Sequence, residues 1–333
     1  MNKLVFKLFH RVAIFLSLLV VTFFIISCMS NVQGSVVAEK TQKSPEVYFC
    51  PREDCGKVFE ENIRSANFSV HCAVYDINLK NAINALSRKS RAADVKVVID
   101  NSNNHDQIKG PGIREDSDKQ LMHNKFCVVD DKIVLTGSFN PTDNDNYKNN
   151  NNLIVVHSKF LSENYEDEFN ELWNGIYSGG SRVRHPVVYL NGIKIENYFC
   201  PEDHCMPHIV GTIKGAKSSV YFMDFSFTSR EIADAIIMKK DLDTKGVVDS
   251  GQSSGKYSQL ERLQEYKINV IKDRNKYKMH HKVFIIDNET FTTGSFNPTL
   301  SGDERNDENI LIIHDKNLTS YYLKEFDEIF SGT

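Results

Sequence analysis

The chain has 333 residues, with 40 lysines and arginines against 44 aspartates and glutamates, so its formal charge is −4. Apolar residues make up 41% of the chain and charged residues 25%, which excludes a disordered, collagen-like or multi-span membrane protein. The length fits one large domain or two of about 150 residues, and the weak negative charge argues against a protein that coats nucleic acid through a broad basic surface.

A targeting segment is predicted at residues 1–28. Three cations and no acid precede an apolar run over residues 12–26, which is short for a bilayer span and typical of a signal peptide. The run leads into an Ile-Ser-Cys sequence that resembles the bacterial lipobox, so Cys28 is a candidate for lipidation; an uncleaved membrane anchor is the alternative. In both cases we expect export, with the chain attached to the membrane by its N-terminus and facing the periplasm or the exterior. Residues 29–45 are polar and aperiodic, which predicts a tether.

Six further cysteines follow the targeting segment. Four of them form two C-x4-C pairs, Cys50 with Cys55 and Cys200 with Cys205. In an oxidising compartment each pair can close a small disulfide loop, and the alternative is one zinc site of four thiolates. The remaining two, Cys72 and Cys127, lie in apolar strand-like runs and are expected as core residues.

The chain contains an internal repeat. Three motifs occur twice, the first at an offset of 150 residues and the other two at an offset of 157: Tyr-Phe-Cys-Pro at 48–51 and 198–201, Met-His-x-Lys at 122–125 and 279–282, and Gly-Ser-Phe-Asn-Pro-Thr at 137–142 and 294–299. The second copy therefore has a few extra residues, which we place within 257–278, where the apolar spacing is helical. This period is too long for a solenoid. We predict two tandem domains, residues 46–180 and 181–333, here called the first and the second repeat.

Both repeats alternate between strand-like and helical patterns. In chain order the first repeat has predicted strands at 69–74 and 95–99, with a helix at 78–88 between them, then strands at 126–129, 133–135 and 153–156 and a helix over 160–173. The second repeat has predicted strands at 220–223, 284–286, 291–293 and 310–313. The predicted fold class is therefore α/β, with a mixed sheet flanked by helices in each repeat and the two repeats packed as a pseudo-twofold dimer.

A chemical motif, H-x-K-x4-D-x6-G-S-x-N, occurs once in each repeat. Its members are His123, Lys125, Asp130, Gly137, Ser138 and Asn140, and then His280, Lys282, Asp287, Gly294, Ser295 and Asn297. Two copies with identical spacing are far beyond chance. Because alternate side chains of a strand share a face, each histidine points the same way as the lysine two residues later.

These residue types suit attack on a phosphodiester. Lysine can neutralise the non-bridging phosphate oxygens, and the serines and asparagines Ser138, Asn140, Ser295 and Asn297 are candidate phosphate ligands. One histidine can attack phosphorus while the other protonates the leaving oxygen and later activates water. Such a double displacement requires no metal and no cofactor. Asp130 and Asp287 are candidate catalytic residues with a structural role as the alternative, since both lie at strand ends beside tight turns.

The doubled motif resembles the HKD signature of the phospholipase D superfamily, and the resemblance covers both repeats. The segments 221–228 and 95–100 further resemble the branch of small bacterial endonucleases and mitochondrial cardiolipin hydrolase, whose members carry one motif per chain and dimerise. The resemblance implies a metal-independent phosphodiesterase with its active site between the two repeats. It also implies a monomer that acts as an internal pseudo-dimer.

The family often carries an acidic residue about twelve positions after its G-S-x-N motif, bonded to the catalytic imidazole. The second repeat has Glu308 at this position, whereas the first has Asn151. We therefore expect Glu308 to be the partner of His280, with His280 as the nucleophile and His123 as the acid and base.

Two substrate classes are consistent with these features. A tethered, outward-facing enzyme favours phospholipid head groups, and the resemblance to small endonucleases keeps DNA or RNA as the alternative. A basic run over residues 272–282 leads into the second motif, but its pattern is typical of a solvated loop and no aromatic-interleaved basic platform is predicted. An inactive binding module is the remaining alternative.

Overall fold

The two repeats fold into mixed β-sheets with the same strand order. The computed structural model describes residues 34–103, 108–117 and 119–332. After β1 (Val36–Glu39), the first repeat forms β2 (Glu46–Cys50), β3 (Ser69–Val74), β4 (Asp94–Ile99), β5 (Ile113–Glu115), β6 (Lys125–Val129), β7 (Ile133–Gly137) and β8 (Asn151–His157). The second forms β9 (Val187–Leu190), β10 (Ile193–Cys200), β11 (Ser219–Asp224), β12 (Asp243–Val248), β13 (Asn269–Lys272), β14 (Lys282–Ile286), β15 (Thr290–Gly294) and β16 (Glu308–His314).

Helices connect these strands and cover the sheets. The first repeat contains α1 (Cys55–Ser65), α2 (Lys80–Lys89), α3 (Asp143–Tyr147) and α4 (Lys159–Trp173). The second contains α5 (Cys205–Lys214), α6 (Arg230–Ile237), α7 (Leu260–Glu265), α8 (Leu300–Glu304) and α9 (Lys316–Ser331). Side-chain oxygens start several of them, since Ser158 accepts a bond from the N–H of Leu161 and Asp315 from that of Leu318. The predicted α/β class, with mixed sheets flanked by helices, is confirmed.

The strand order is β2-β8-β7-β6-β3-β4-β5 in the first sheet and β10-β16-β15-β14-β11-β12-β13 in the second. Strands β3, β4 and β5 are parallel to one another, as are β11, β12 and β13. The remaining neighbours in these two series are antiparallel. Among the described residues the second repeat has one helix more than the first, and this helix is α7, within the segment where the sequence placed the insertion.

The predicted tether contains a strand, which corrects the expectation for residues 29–45. Strand β1 pairs in parallel with β9 and extends the second sheet at its edge. The carboxylate of Glu39 then accepts hydrogen bonds from the hydroxyl of Ser158 and the N–H of Lys159 at the start of α4. Three consecutive apolar residues followed by an acid do not make a strand pattern, so the open edge of β9 decides this conformation.

An aromatic core joins the two repeats through reciprocal contacts. The ring of Phe49 meets that of Tyr322 with centroids 5.0 Å apart, and Phe199 meets Tyr165 at the same distance. Both tyrosines are fully buried, on α9 and α4. Because each contact pairs one repeat with the other, burial of these rings stabilises the docking of the repeats as well as each sheet.

All six cysteines within the described part of the chain are paired. Cys50 bonds Cys55 and Cys200 bonds Cys205, which are the pairs that the sequence offered as disulfides. Cys72 and Cys127 are buried, as expected, but they also form a disulfide, which the sequence analysis did not foresee. They lie directly opposite each other in the antiparallel pair β3–β6, and this register brings their Cα atoms to 4.0 Å.

Candidate active site between the repeats

The glycine of each G-S-x-N motif permits a close approach of two strands. Gly137 and Gly294 have φ values of 129° and 146°, which side chains rarely adopt. A Cβ atom at Gly137 would lie 2.4 Å from the carbonyl oxygen of Asn152, and at Gly294 2.1 Å from that of Asn309. The motif therefore needs glycine at the turn that leads away from β7 and β15.

The serines of the motif connect each turn to the neighbouring strand. The Oγ of Ser138 accepts the backbone N–H of Asn152 at 3.0 Å, and the Oγ of Ser295 accepts that of Asn309 at the same distance. Both serines are fully buried. These bonds give both serines a structural role, and their assignment as phosphate ligands stays a prediction from the sequence.

Each motif histidine is held by the backbone of the opposite repeat. The N–H of His123, just before β6, donates to the carbonyl of Asp307 at 3.0 Å, and the N–H of His280, just before β14, donates to the carbonyl of Asn150 at 2.7 Å. Both side chains are buried, with 5% and 7% of their surface exposed. The two histidines that the sequence placed 157 residues apart thus flank one junction between the repeats.

The carboxylate of Glu308 bonds to His123, which overturns the sequence expectation that it serves His280. Both carboxylate oxygens lie 2.8 Å from Nδ1 of His123, and Glu308 is fully buried. The bond fixes the tautomer with the proton on Nδ1 and leaves Nε2 as the free lone pair. The expectation failed because it kept the carboxylate within its own repeat, whereas β16 delivers it across the junction.

The two motif lysines lie beside the histidines. Lys125 donates to the carbonyl of His123 and Lys282 to that of His280, each at 2.7 Å. Burial lowers the pKa of Lys125 to about 8; burial and then the charge of Lys125 lower the pKa of Lys282 to about 7. The site therefore concentrates positive charge where an anionic substrate can neutralise it.

Burial also lowers the pKa of both imidazoles. For His123 the charge of Glu308 partly opposes the effect of burial. For His280 the charges of Lys282 and Lys125 add to it, and the pKa falls well below its usual value. The lowered pKa is common to both imidazoles, so the tautomer distinguishes them: the bond to Glu308 leaves Nε2 of His123 as the lone pair that a nucleophile requires.

Further side chains complete the walls of the site. The ring of Tyr75 meets His123 edge-on at 4.7 Å, and the ring of Phe225 meets His280 at 4.9 Å. Asn140 and Asn297 lie in the loops after β7 and β15, and within the described part of the chain their Oδ1 atoms have no hydrogen-bond partner. The amide nitrogen of Asn140, the group that would donate to phosphate, donates to Asp145 at 2.8 Å. The role of both asparagines as phosphate ligands stays a prediction from the sequence.

The motif aspartates lie at the opposite ends of their strands from the lysines. Asp130 accepts bonds from the N–H groups of Asn67, Phe68 and Ser69, and Asp287 accepts the equivalent three in the second repeat. Burial opposes the effect, but these bonds lower the pKa of both carboxyls. Five residues of strand separate each aspartate from its lysine, roughly 16 Å. Of the two predicted roles, this geometry supports the structural one.

Removing this anchor is expected to affect stability and not chemistry. Asp130→Ala leaves three backbone donors without their carboxylate, and we expect a loss of about 1–2 kcal/mol in the free energy of unfolding. Urea denaturation and steady-state kinetics on the same preparation would measure both effects. A large fall in kcat with unchanged stability would contradict the structural role.

A buried asparagine network crosses the junction and was missed from the sequence. The Oδ1 of Asn309 accepts from Thr136 and Tyr165 of the first repeat, and the Oδ1 of Asn152 accepts from Thr293 and Tyr322 of the second. The repeat of Asn151-Asn152 as Glu308-Asn309 was a signal available in the sequence. It could not show that both asparagines point into the other repeat.

One carboxylate cluster breaks the symmetry of the two repeats. Oxygens of Glu168, Glu171 and Glu202 lie within 4.8 Å of one another, and in the described ranges they form the one such group of potential metal-ligating acids. Burial and the neighbouring acids raise the pKa of Glu202 to about 7 and that of Glu168 well above its usual value. In the first repeat the residue equivalent to Glu202 is Arg52. It bonds Glu325 and Glu328, which are the second-repeat equivalents of Glu168 and Glu171.

Replacing Glu202 with arginine should therefore stabilise the fold. A carboxyl whose pKa rises on folding from 4.5 to about 7 contributes stability that is fully present below the lower value and is lost as the pH rises through the higher one. Stability is therefore expected to fall between these two values and to stay low at pH 8. Glu202→Arg would place a cation beside Glu168 and Glu171, as Arg52 lies beside Glu325 and Glu328. It should raise the unfolding free energy at pH 8 by about 1 kcal/mol or more. Thermal unfolding at pH 5.5 and pH 8 measures this; an equal effect at both pH values would refute it.

A family model described as cardiolipin synthase, phospholipase D-like domain, matches residues 59–173 and 209–330, which are most of both repeats. The chain belongs to the phospholipase D superfamily. The resemblance inferred from the doubled motif is thereby confirmed, and the chain is a phosphodiesterase of this superfamily.

Curated relatives and a solved structure agree with this assignment. A phospholipase D of Rickettsia felis is 32% identical over 165 residues, covering 48% of this chain and 82% of that protein. A mitochondrial cardiolipin hydrolase of Xenopus laevis is 29% identical over 136 residues, covering 39% of this chain and 65% of that protein. The phosphatidylserine synthase of Haemophilus influenzae shares the fold with a TM-score of 0.64 at 14% identity, over 85% of this chain and 86% of that chain.

The targeting prediction, including Cys28, lies outside the described residues. Within the described ranges every helix falls short of the length or apolarity that crossing a bilayer requires. Export, the domain boundaries and membrane attachment therefore stay predictions from the sequence.

Proposed function

We propose that this chain hydrolyses the head-group phosphodiester of phospholipids through a covalent phosphohistidine, without a metal. The observation that carries the proposal is the pairing of Glu308 with His123, beside a second buried histidine and two buried lysines. The similar proteins named phospholipase D and mitochondrial cardiolipin hydrolase support a phospholipid substrate.

In the first step, Nε2 of His123 attacks phosphorus while its Nδ1 proton stays bonded to Glu308. The bond from phosphorus to the leaving alcohol breaks, and His280 donates the proton that this oxygen needs. Lys125 and Lys282 neutralise the non-bridging oxygens as charge develops on them. In the second step His280 accepts a proton from water, whose oxygen attacks phosphorus, and the bond to His123 breaks.

The same protein is proposed to work as a monomer on the outer face of a membrane. The contacts that complete each histidine come from the other repeat of the same chain, which supports an internal pseudo-dimer. Three disulfides support an oxidising compartment, since such bonds are rare where thiols are kept reduced. N-terminal attachment would keep the site close to phospholipid head groups.

An endonuclease activity is the second candidate, and one surface favours it. Tyr147 and Tyr277 are 58% and 42% exposed, and the ammonium groups of Lys148 and Lys276 lie 5.5 Å and 5.0 Å from the ring centre of Tyr277. They adjoin a groove of about 510 Å³ that reaches Asn150, the backbone partner of His280. Exposed rings between cations suit stacked bases and a phosphate chain. The sequence analysis expected no such platform, because its members come from both repeats.

The full chain, purified in detergent with EDTA present, separates these candidates. It should release head groups from phosphatidylcholine or cardiolipin vesicles and leave single-stranded DNA and plasmid intact. Cleavage of nucleic acid alone would favour the endonuclease, and inactivity on all of them would favour a binding module. Loss of lipid hydrolysis in EDTA, with recovery on adding a divalent cation, would contradict the metal-independent mechanism.

A further inference from the structure

The two catalytic histidines differ in what faces Nδ1. The Nδ1 of His123 has Glu308, whereas within the described residues the Nδ1 of His280 has no hydrogen-bond partner. One carboxylate oxygen, Oδ2 of Asp145, lies 3.6 Å from that nitrogen. Asp145 is buried on α3, in the first repeat, so it approaches His280 from across the junction, as Glu308 approaches His123.

The position equivalent to Glu308 cannot supply the missing charge. It is Asn151, whose amide nitrogen donates to the carbonyl oxygens of Asp145 and Asn149. A neutral amide does not stabilise an imidazolium as a carboxylate does. If His280 is to gain and lose a proton in each cycle, its counter-charge must come from another residue.

In the second repeat the carboxylate lies at the other of the two equivalent positions. The residue equivalent to Asp145 is Gly302, where a Cβ atom would lie 2.5 Å from the carbonyl oxygen of Asn297. The second repeat thus has no room for a side chain at this position of α8, and it carries its carboxylate on β16. The first repeat has the reverse arrangement, with an acid on α3 and an amide at the start of β8.

Amide donors hold Asp145 in place. Its Oδ2 accepts from the backbone N–H and the side-chain amide of Asn140, both at 2.8 Å, and its Oδ1 accepts from the amide of Asn149 at 2.6 Å. The carboxylate is therefore fixed beside the loop that carries Asn140. Only a small shift of the imidazole is needed to bring Nδ1 to hydrogen-bond distance.

We propose that Asp145 is the carboxylate partner of His280 and replaces the glutamate that the first repeat lacks. It is a positioning residue that acts through His280, and the proposal rests on the proposed role of His280 as acid and base. Among the described residues, Lys282, Lys125, His123 and Lys278 also act on His280, and all four disfavour its protonated form. Asp145 opposes them when the imidazole accepts a proton.

The test compares four versions of the full chain: wild type, Asp145→Asn, Asn151→Glu, and the double variant. With an alkyl phosphodiester, Asp145→Asn should lower kcat/KM about 10- to 100-fold and move the alkaline limb of the kcat profile to lower pH. The double variant should recover the rate and the limb, because the carboxylate introduced by Asn151→Glu would face His280 as Glu308 faces His123. With bis(4-nitrophenyl) phosphate, whose leaving group needs little protonation, kcat/KM should change much less.

An equal loss on both substrates, or no recovery in the double variant while its melting temperature matches that of the wild type, would overturn the proposal. Either result would assign Asp145 to the support of Asn140 and Asn149 alone. Failure of the proposed function is distinguishable, since it would appear as an inactive wild-type chain on both diesters. Asn151→Glu by itself serves as the control for the new charge.

Discussion

In His280→Ala the covalent intermediate on His123 should accumulate. With a 4-nitrophenyl phosphodiester the first step needs little acid catalysis, so we expect a burst of one 4-nitrophenol per active site, followed by turnover slowed roughly 10³-fold or more, since no group activates the water. Mass spectrometry of the quenched protein should find the added phosphoryl group on the peptide containing His123. The physical basis is the bond between Glu308 and Nδ1, which leaves Nε2 as nucleophile.

His123→Ala is the matched variant. It retains the acid and base but lacks the nucleophile, so it should show neither a burst nor an adduct. Glu308→Gln should retain the burst at a reduced rate, because the tautomer of His123 is then less firmly fixed. An adduct on His280 in His123→Ala would reverse the assignment of the two roles.

Activity of the free enzyme should decline on the alkaline side of about pH 7. The ammonium forms of Lys282 and Lys125, with pKa values of about 7 and about 8, are lost as the pH rises through those values. The pKa of His123 is lowered, so its neutral form is already present below the usual range. We therefore expect kcat/KM to fall as the pH rises and the two lysines lose their protons. Bound phosphate favours the charged lysines, so in the substrate complex they deprotonate at higher pH, and the loss of the proton from His280 sets the alkaline limb of kcat.

Lys282→Met should reduce kcat/KM by about 10²- to 10³-fold, because one cation over the transferred phosphate is lost. Lys282→Arg should lose less activity. It should also move the alkaline limb of the kcat/KM profile to higher pH, since a guanidinium does not deprotonate in this range. Melting temperatures of both variants control for folding. An unchanged limb in Lys282→Arg would show that another group sets it.

Local patterns predicted most of the fold. The strand Ser69–Val74 and the helix ending at Trp173 lie where apolar spacing placed them, because period-2 and period-3.6 alternation are properties of adjacent residues. Strand β1 was missed, because its pairing depends on an open sheet edge formed 150 residues later. The disulfide between Cys72 and Cys127 depends in the same way on strand register.

The composition and length excluded several classes of protein, and the doubled motif by itself determined the superfamily, the repeat and the four residues His123, Lys125, His280 and Lys282. These features are encoded at fixed spacing within one segment, so they are readable without a fold. The tertiary structure alone decided that Glu308 serves His123, that Asp145 faces His280, and that Tyr147 and Tyr277 share one surface. Each of these contacts joins the two repeats, and the docking of two surfaces is set by their whole shape, which no local spacing records.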